Sequence, residues 1–188
     1  VQNDQEKQKF GEPLDDISLA AVTSASANAG TVSLSGRMAG KKGAVVVFWS
    51  GICSHCVRYD AYLNSFEERH PELSLIVVAS RHGEAPEMIR KTMAERKLTF
   101  TMVYDPESKV ARQWYTQQTP RAFLMDAERR LIYRGAIDNY KYPEDPEYLG
   151  YLEPAIGEFL TGQPVSRTET ASFGCAIFSV YYILPKAL

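Results

Sequence analysis

AVVVFWSGICSHC, Ala44 to Cys56, passes from an unbroken apolar run into two cysteines three positions apart. Ala44 to Trp49 is β-branched and aromatic and is bounded by glycine, the pattern of a strand covered on both faces. Beyond it, Cys56, Tyr59, Leu63 and Phe66 recur at three and four residues, while Arg58, Asn64, Glu67 and Glu68 fall elsewhere on the turn. That stripe predicts an amphipathic helix ending near His70-Pro71. Cys53 then sits at the strand-to-helix junction, where free N–H groups and the positive helix end favour an anion. Helix-terminal CxxC thiols have pKa values of roughly 3.5 to 7, against about 8.5 for a free cysteine. The expectation is an exposed, activated Cys53 that attacks and a buried Cys56 that resolves by closing the ring. His55, between them, is expected to give a hydrogen bond or positive charge to the Cys53 thiolate.

Composition narrows the alternatives. With 188 residues, 45% of them apolar, the chain fills one core. A net charge of -2 without a basic stripe argues against nucleic acid. No apolar run reaches the length that spans a bilayer, and Cys175 to Leu184 comes to about half of it. Three cysteines are too few for a disulfide framework and leave a reactive pair plus one spare thiol, Cys175. Zinc normally takes four ligands, and only Cys175, His70 and His82 are left to complete a set, so no metal is expected. Cu(I) held by Cys53, Cys56 and a distant histidine is the alternative, which would make the chain a metallochaperone. The sequence begins at Val1 without methionine, as a processed or trimmed form does.

Along the chain, residues 1–30 are charged and then small and polar, and read as a flexible N-terminal extension. A domain follows over 31–162: strands at TVSLSG, Ala44 to Trp49, Leu73 to Ala79 and TFTMVYD; a helix from Pro86 to about Lys97; a short helix carrying Val110 and Trp114. RAFLMD and RRLIYRGAI form a hairpin about Asp126-Ala127-Glu128, and a last helix covers about Pro146 to Leu160. Residues 163–188 are a tail packing on the domain. This order gives an α/β fold with parallel strands and one antiparallel pair.

AVVVFWSGICSHC, DPESKVARQW, QQTPRAFLMD and RRLIYRG, in that order, resemble the thioredoxin-like superfamily, in its TlpA/ResA and redoxin branch. The resemblance implies a thioredoxin-like fold, a central mixed β-sheet flanked by α-helices. It implies a thiol-disulfide oxidoreductase whose only redox group is the Cys53–Cys56 disulfide, with no organic cofactor. Trp49, Ser54, His55, Thr119 and Pro120 would support the pair, with Thr119-Pro120 cis and lying against it. Protein thiols or disulfides and an upstream redox partner are the implied partners, and a periplasmic or otherwise exported location the implied setting.

The sequence departs from this family's pattern at several points. Val47 and Tyr59 stand where relatives carry acids, so the usual proton acceptor for Cys56 is missing, and Asp60, one turn on, is the candidate replacement. Ile52 replaces a common tryptophan before Cys53. The PxxxTxxC pattern of peroxiredoxins is absent, which argues against a peroxidase and leaves a peroxiredoxin-like antioxidant role as a further alternative. The tail TASFGCAIFSVYYILPKAL resembles the Gly-Cys close of some redoxin-like proteins. Cys175 is there either a third redox thiol or a packing residue beside Ile177, Val180 and Ile183.

Overall fold

A computed structural model describes residues 7–178. Its centre is β3, Gly43–Trp49, paired in parallel with β4, Leu73–Ala79, and antiparallel with β7, Arg121–Asp126. Every residue of β3 and β4 is buried, as their uninterrupted apolar runs require. With β1 (Ser18–Val22), β2 (Thr31–Ser33), β5 (Met102–Tyr104) and β8 (Leu131–Gly135) they form a seven-stranded mixed sheet in the order β2-β1-β5-β4-β3-β7-β8.

Alternate residues of β3 serve two cores. Val45, Val47 and Trp49 join Cys53, Cys56, Leu63, Phe66 and Ile156 on one face. Ala44, Val46 and Phe48 join Leu14, Trp114 and Phe123 on the other. Burying each large apolar side chain contributes about 1.5–3 kcal/mol, which makes this strand the main anchor of the domain.

Helices α1 (Leu34–Met38), α5 (Pro86–Arg96) and α6 (Lys109–Gln113) connect these strands. The DPES segment has a structural task. Buried Asp105 accepts from the backbone N–H groups of Val110 and Ala111 at 2.9 and 3.0 Å, capping α6, and from the Ser80 hydroxyl at 2.8 Å.

Four expectations need correction. Residues 1–30 are not all a flexible extension: β1 pairs antiparallel with β5 and β2, and Leu14 and Ile17 are core residues. Small, weakly apolar residues in SLAAV hid this strand. The helix after Cys56 is broken into α2 (Ser54–Val57), α3 (Asp60–Asn64) and α4 (Phe66–Arg69). Arg58 at the first break reaches the Tyr140 and Lys141 carbonyls, and the Ser65 hydroxyl at the second competes for the Ala61 carbonyl at 2.9 Å. The TVSLSG strand stops at Ser33 because the Ser33 hydroxyl accepts from the Gly36 N–H and caps α1. The last helix, α7, is Leu152–Leu160, since Asn139 binds the Glu147 carbonyl and the Leu149 N–H and holds residues 139–149 as a loop.

The tail is fastened along its course. Glu169 pairs with Arg134 at 2.9 Å, and the Thr170 hydroxyl accepts from the Ala136 N–H at 2.9 Å. Thr170 rests on Gly135, where any side chain would collide with it. Beyond it, β9 (Cys175–Ala176) pairs antiparallel with β6 (Gln118–Thr119). Ile177 is buried as expected, whereas Val180 and Ile183 lie outside the described residues.

Candidate active site

The C-terminal end of β3 delivers Trp49 into the core and Ser50 and Gly51 into a tight turn; Cys53 follows as the N-cap of α2. All three described cysteines are unbridged. Cys56 is fully buried on the stripe that also carries Tyr59 and Leu63. Cys53, expected to be exposed, is 0% exposed as well. The reason is the tail, whose β9 lays Cys175 directly opposite Thr119.

The two thiols of the CxxC are electrostatically opposite. Cys53 is held down at about 4, first by a hydrogen bond from the Cys56 thiol, against the opposing cost of burial, with further donors from Cys175 and Thr119. Cys56 is pushed well above the ordinary thiol range, first by burial, then by the hydrogen bond it donates to Cys53 and by the negative charge it faces there. The cause of this asymmetry is not the helix terminus the sequence suggests. A helix of four residues offers little dipole, and the neighbouring thiol supplies the main stabilisation.

When protonated, Cys53 Sγ donates to the Thr119 carbonyl oxygen at 3.4 Å. The Thr119–Pro120 peptide bond is cis, and Thr119 is buried against the pair. Its hydroxyl has no other hydrogen-bond partner among the described residues and adds to the lowering at Cys53. Trp49 is fully buried with the Arg96 guanidinium 5.4 Å from its ring, and Ser54 opens α2 at the surface.

His55 stands beside both the Cys175 and the Cys53 thiol. Its Nδ1 is 3.7 Å from Cys175 Sγ, a ring nitrogen lies within 4.8 Å of Cys53 Sγ, and its ring tilts against Tyr140 at 4.7 Å. Asp60 is occupied: Arg96 holds both its carboxylate oxygens, at 2.8 and 2.5 Å, and also reaches the Gly51 carbonyl at 3.1 Å. Arg96 thereby ties Asp60 to the turn before Cys53. At the other acid position, Tyr59 donates to buried Asp138 at 2.6 Å. Burial and this carboxylate push the Tyr59 phenol far up.

Two residues complete the site beyond what the motif shows. Glu84, nearly fully buried, accepts from the Ser50 hydroxyl at 2.6 Å and the Gly51 N–H at 2.7 Å, fixing the turn that carries Cys53. The available signal was its place just after β4, since the C-terminal ends of adjacent parallel strands converge on a site. Cys175 is the second. One ligand atom each from Cys53, His55 and Cys175 lies within 4.8 Å of the others. These three atoms are suited to thiol exchange or to holding a soft cation. His70, by contrast, is paired with Glu153 at 2.8 Å.

Comparison with known proteins bears on the family and the fold. The redoxin family model matches residues 9–152. No curated protein matches the chain. A hypothetical protein from Sinorhizobium meliloti 1021 superposes with a TM-score of 0.76 at 23% identity, over 93% of this chain and 97% of that one. The thioredoxin domain of a thiol-disulfide oxidoreductase from Bacteroides vulgatus gives 0.55 at 20% identity, over 68% and 89%. Peroxidoxin BcpB from Mycobacterium tuberculosis gives 0.55 at 14% identity, over 68% and 84%. At these identities the likeness is one of fold, and the fold is thioredoxin-like.

Proposed function

The chain belongs to the redoxin family, and from that premise we propose that it exchanges disulfides with protein thiols through Cys53 and Cys56. The observation that carries the reading is the opposite shift of the two thiols, Cys53 down to about 4 and Cys56 upward. In the oxidised form a substrate thiolate attacks Cys53 Sγ. The Cys53–Cys56 bond breaks, and Cys56 leaves and takes up a proton, as its raised affinity for one favours. A second substrate thiolate then attacks the substrate sulfur of the mixed disulfide. Cys53 leaves as a stable thiolate. Two substrate thiols become one disulfide, and the chain retains both electrons.

A stabilised Cys53 thiolate favours the reduced form, so the direction proposed is oxidation of substrate. Exchange proteins with nucleophile pKa near 3.5 have potentials of about -120 mV, against about -270 mV where the pKa is about 7. Equilibration with glutathione is expected to place this pair nearer the first value. A potential near about -270 mV would instead indicate a reductase. An exported setting, as the resemblance implies, belongs to this proposal. Among the described residues no helix is long and apolar enough to cross a membrane.

One observation favours a second reading. Cys53, His55 and Cys175 offer the soft donors that Cu(I) prefers. That reading requires one Cu(I) per reduced chain, retained against a weak competitor and released by Cys175→Ser. Loss of the metal from the unaltered chain removes it.

A further inference from the structure

An extended segment laid beside β6 is what a substrate chain would look like in this site, and the protein's own tail provides one. β9 pairs antiparallel with β6 in a register that sets Cys175 opposite Thr119 and Ala176 opposite Gln118. The pairing continues as the Ile177 N–H donates to the Gln117 carbonyl at 2.9 Å, while the Ile177 carbonyl accepts from the His82 N–H at 2.9 Å. Ile177 is buried in the core on the far face of the sheet, and Arg81 reaches the Ala176 carbonyl at 3.2 Å. Gly174 lies so close to the Thr119 carbonyl that a side chain there would collide with it. Strand addition at an open edge is a general mode of peptide recognition, and here the edge next to the nucleophile is filled from within.

We propose that Cys175 is a third exchange thiol and that Gly174–Ile177 is a built-in substrate strand, so that the chain forms a Cys53–Cys175 disulfide as an intermediate. The inference rests on the exchange reading above. Starting from the reduced chain and an external disulfide, the Cys53 thiolate attacks one sulfur, forms a mixed disulfide and releases the first thiolate. Cys175 gives its proton to His55 Nδ1, 3.7 Å away, and attacks Cys53 Sγ. The Cys53–Cys175 bond forms and the second external thiolate leaves. Cys56 then loses its proton to that departing thiolate and attacks Cys53 Sγ. Cys175 is displaced and regains its proton from His55. One external disulfide has become two thiols, and two thiols of the chain have become one disulfide.

The geometry also sets a requirement on substrates. A protein substrate that pairs with Gln118–Thr119 must first displace the tail, and the segment that best replaces it carries a small residue just before its cysteine.

The test uses Cys56→Ser, with Cys56→Ala as a second variant against misfolding, each reduced and then treated with oxidised glutathione. Peptide mapping after alkylation is expected to find Cys53 joined to Cys175 in most chains. In the chain that keeps both Cys53 and Cys56, Cys175→Ser is expected to slow formation of the Cys53–Cys56 disulfide in stopped-flow fluorescence. A stable glutathione adduct on Cys53 beside a free Cys175 overturns this proposal and leaves the exchange reading intact. No reaction of Cys53 at all overturns both.

Discussion

The two faces of β3 are built from adjacent residues and do different work. On one, Phe48, Trp114 and Phe123 meet edge to face at centroid distances of 5.1 to 5.8 Å among apolar neighbours such as Leu14, Val46 and Met125. On the other, Val45, Val47 and Trp49 lead into Cys53 and Cys56, with buried polar pairs close by: Ser50 with Glu84, and Tyr59 with Asp138. Apolar packing is the main support of the first face, so its residues affect stability. The second adds groups whose protonation and hydrogen bonding set reactivity, and these gather at the C-terminal end of the strand.

Substitutions separate the two faces. Cys53→Ser is expected to slow disulfide exchange by about a thousandfold or more with little loss of stability, as an exchange assay paired with urea denaturation will show. Trp114→Ala on the packing face is expected to cost about 3–5 kcal/mol in urea denaturation, with exchange per folded molecule unchanged. If exchange falls in proportion to stability, the faces are not separable. Glu84→Ala leaves the Ser50 hydroxyl and Gly51 N–H without their buried acceptor. It is expected to cost about 1–3 kcal/mol and also to change the potential of the pair, a combination absent from the packing face. His55→Ala is the smallest: since the ring faces Cys175, the Cys53 titration is expected to stay within about one pH unit of its original midpoint.

Much of this division was legible in the sequence. The unbroken run Ala44 to Trp49 marked a strand buried on both sides, and the spacing of Cys56, Tyr59, Leu63 and Phe66 put Cys56 on the core. What was not legible depends on contacts far apart in the chain. Glu84 lies 34 positions from Ser50, and a two-residue strand such as β9 has no periodicity to read. The burial of Cys53 follows from that tail pairing, so local pattern implied exposure instead. Asp60 looked available because Arg96, which occupies it, is 36 positions away. Motif and period identify the elements and the cysteine pair; the arrangement of charges and covers around that pair is a tertiary property.

The account turns on the asymmetry between Cys53 and Cys56. Thiolate absorbance of the reduced protein, followed from acid to alkaline pH, measures it directly. Because Cys53 is held low, it is a thiol only below its midpoint and a thiolate throughout the neutral range, while Cys56 stays protonated there. The expected result is one thiolate step below neutrality, with a midpoint at about 4 and absent from Cys53→Ser, the other thiols ionising only on the alkaline side. A titration with no step below neutrality, all three thiols ionising together in the ordinary range of about 8.5, would contradict it.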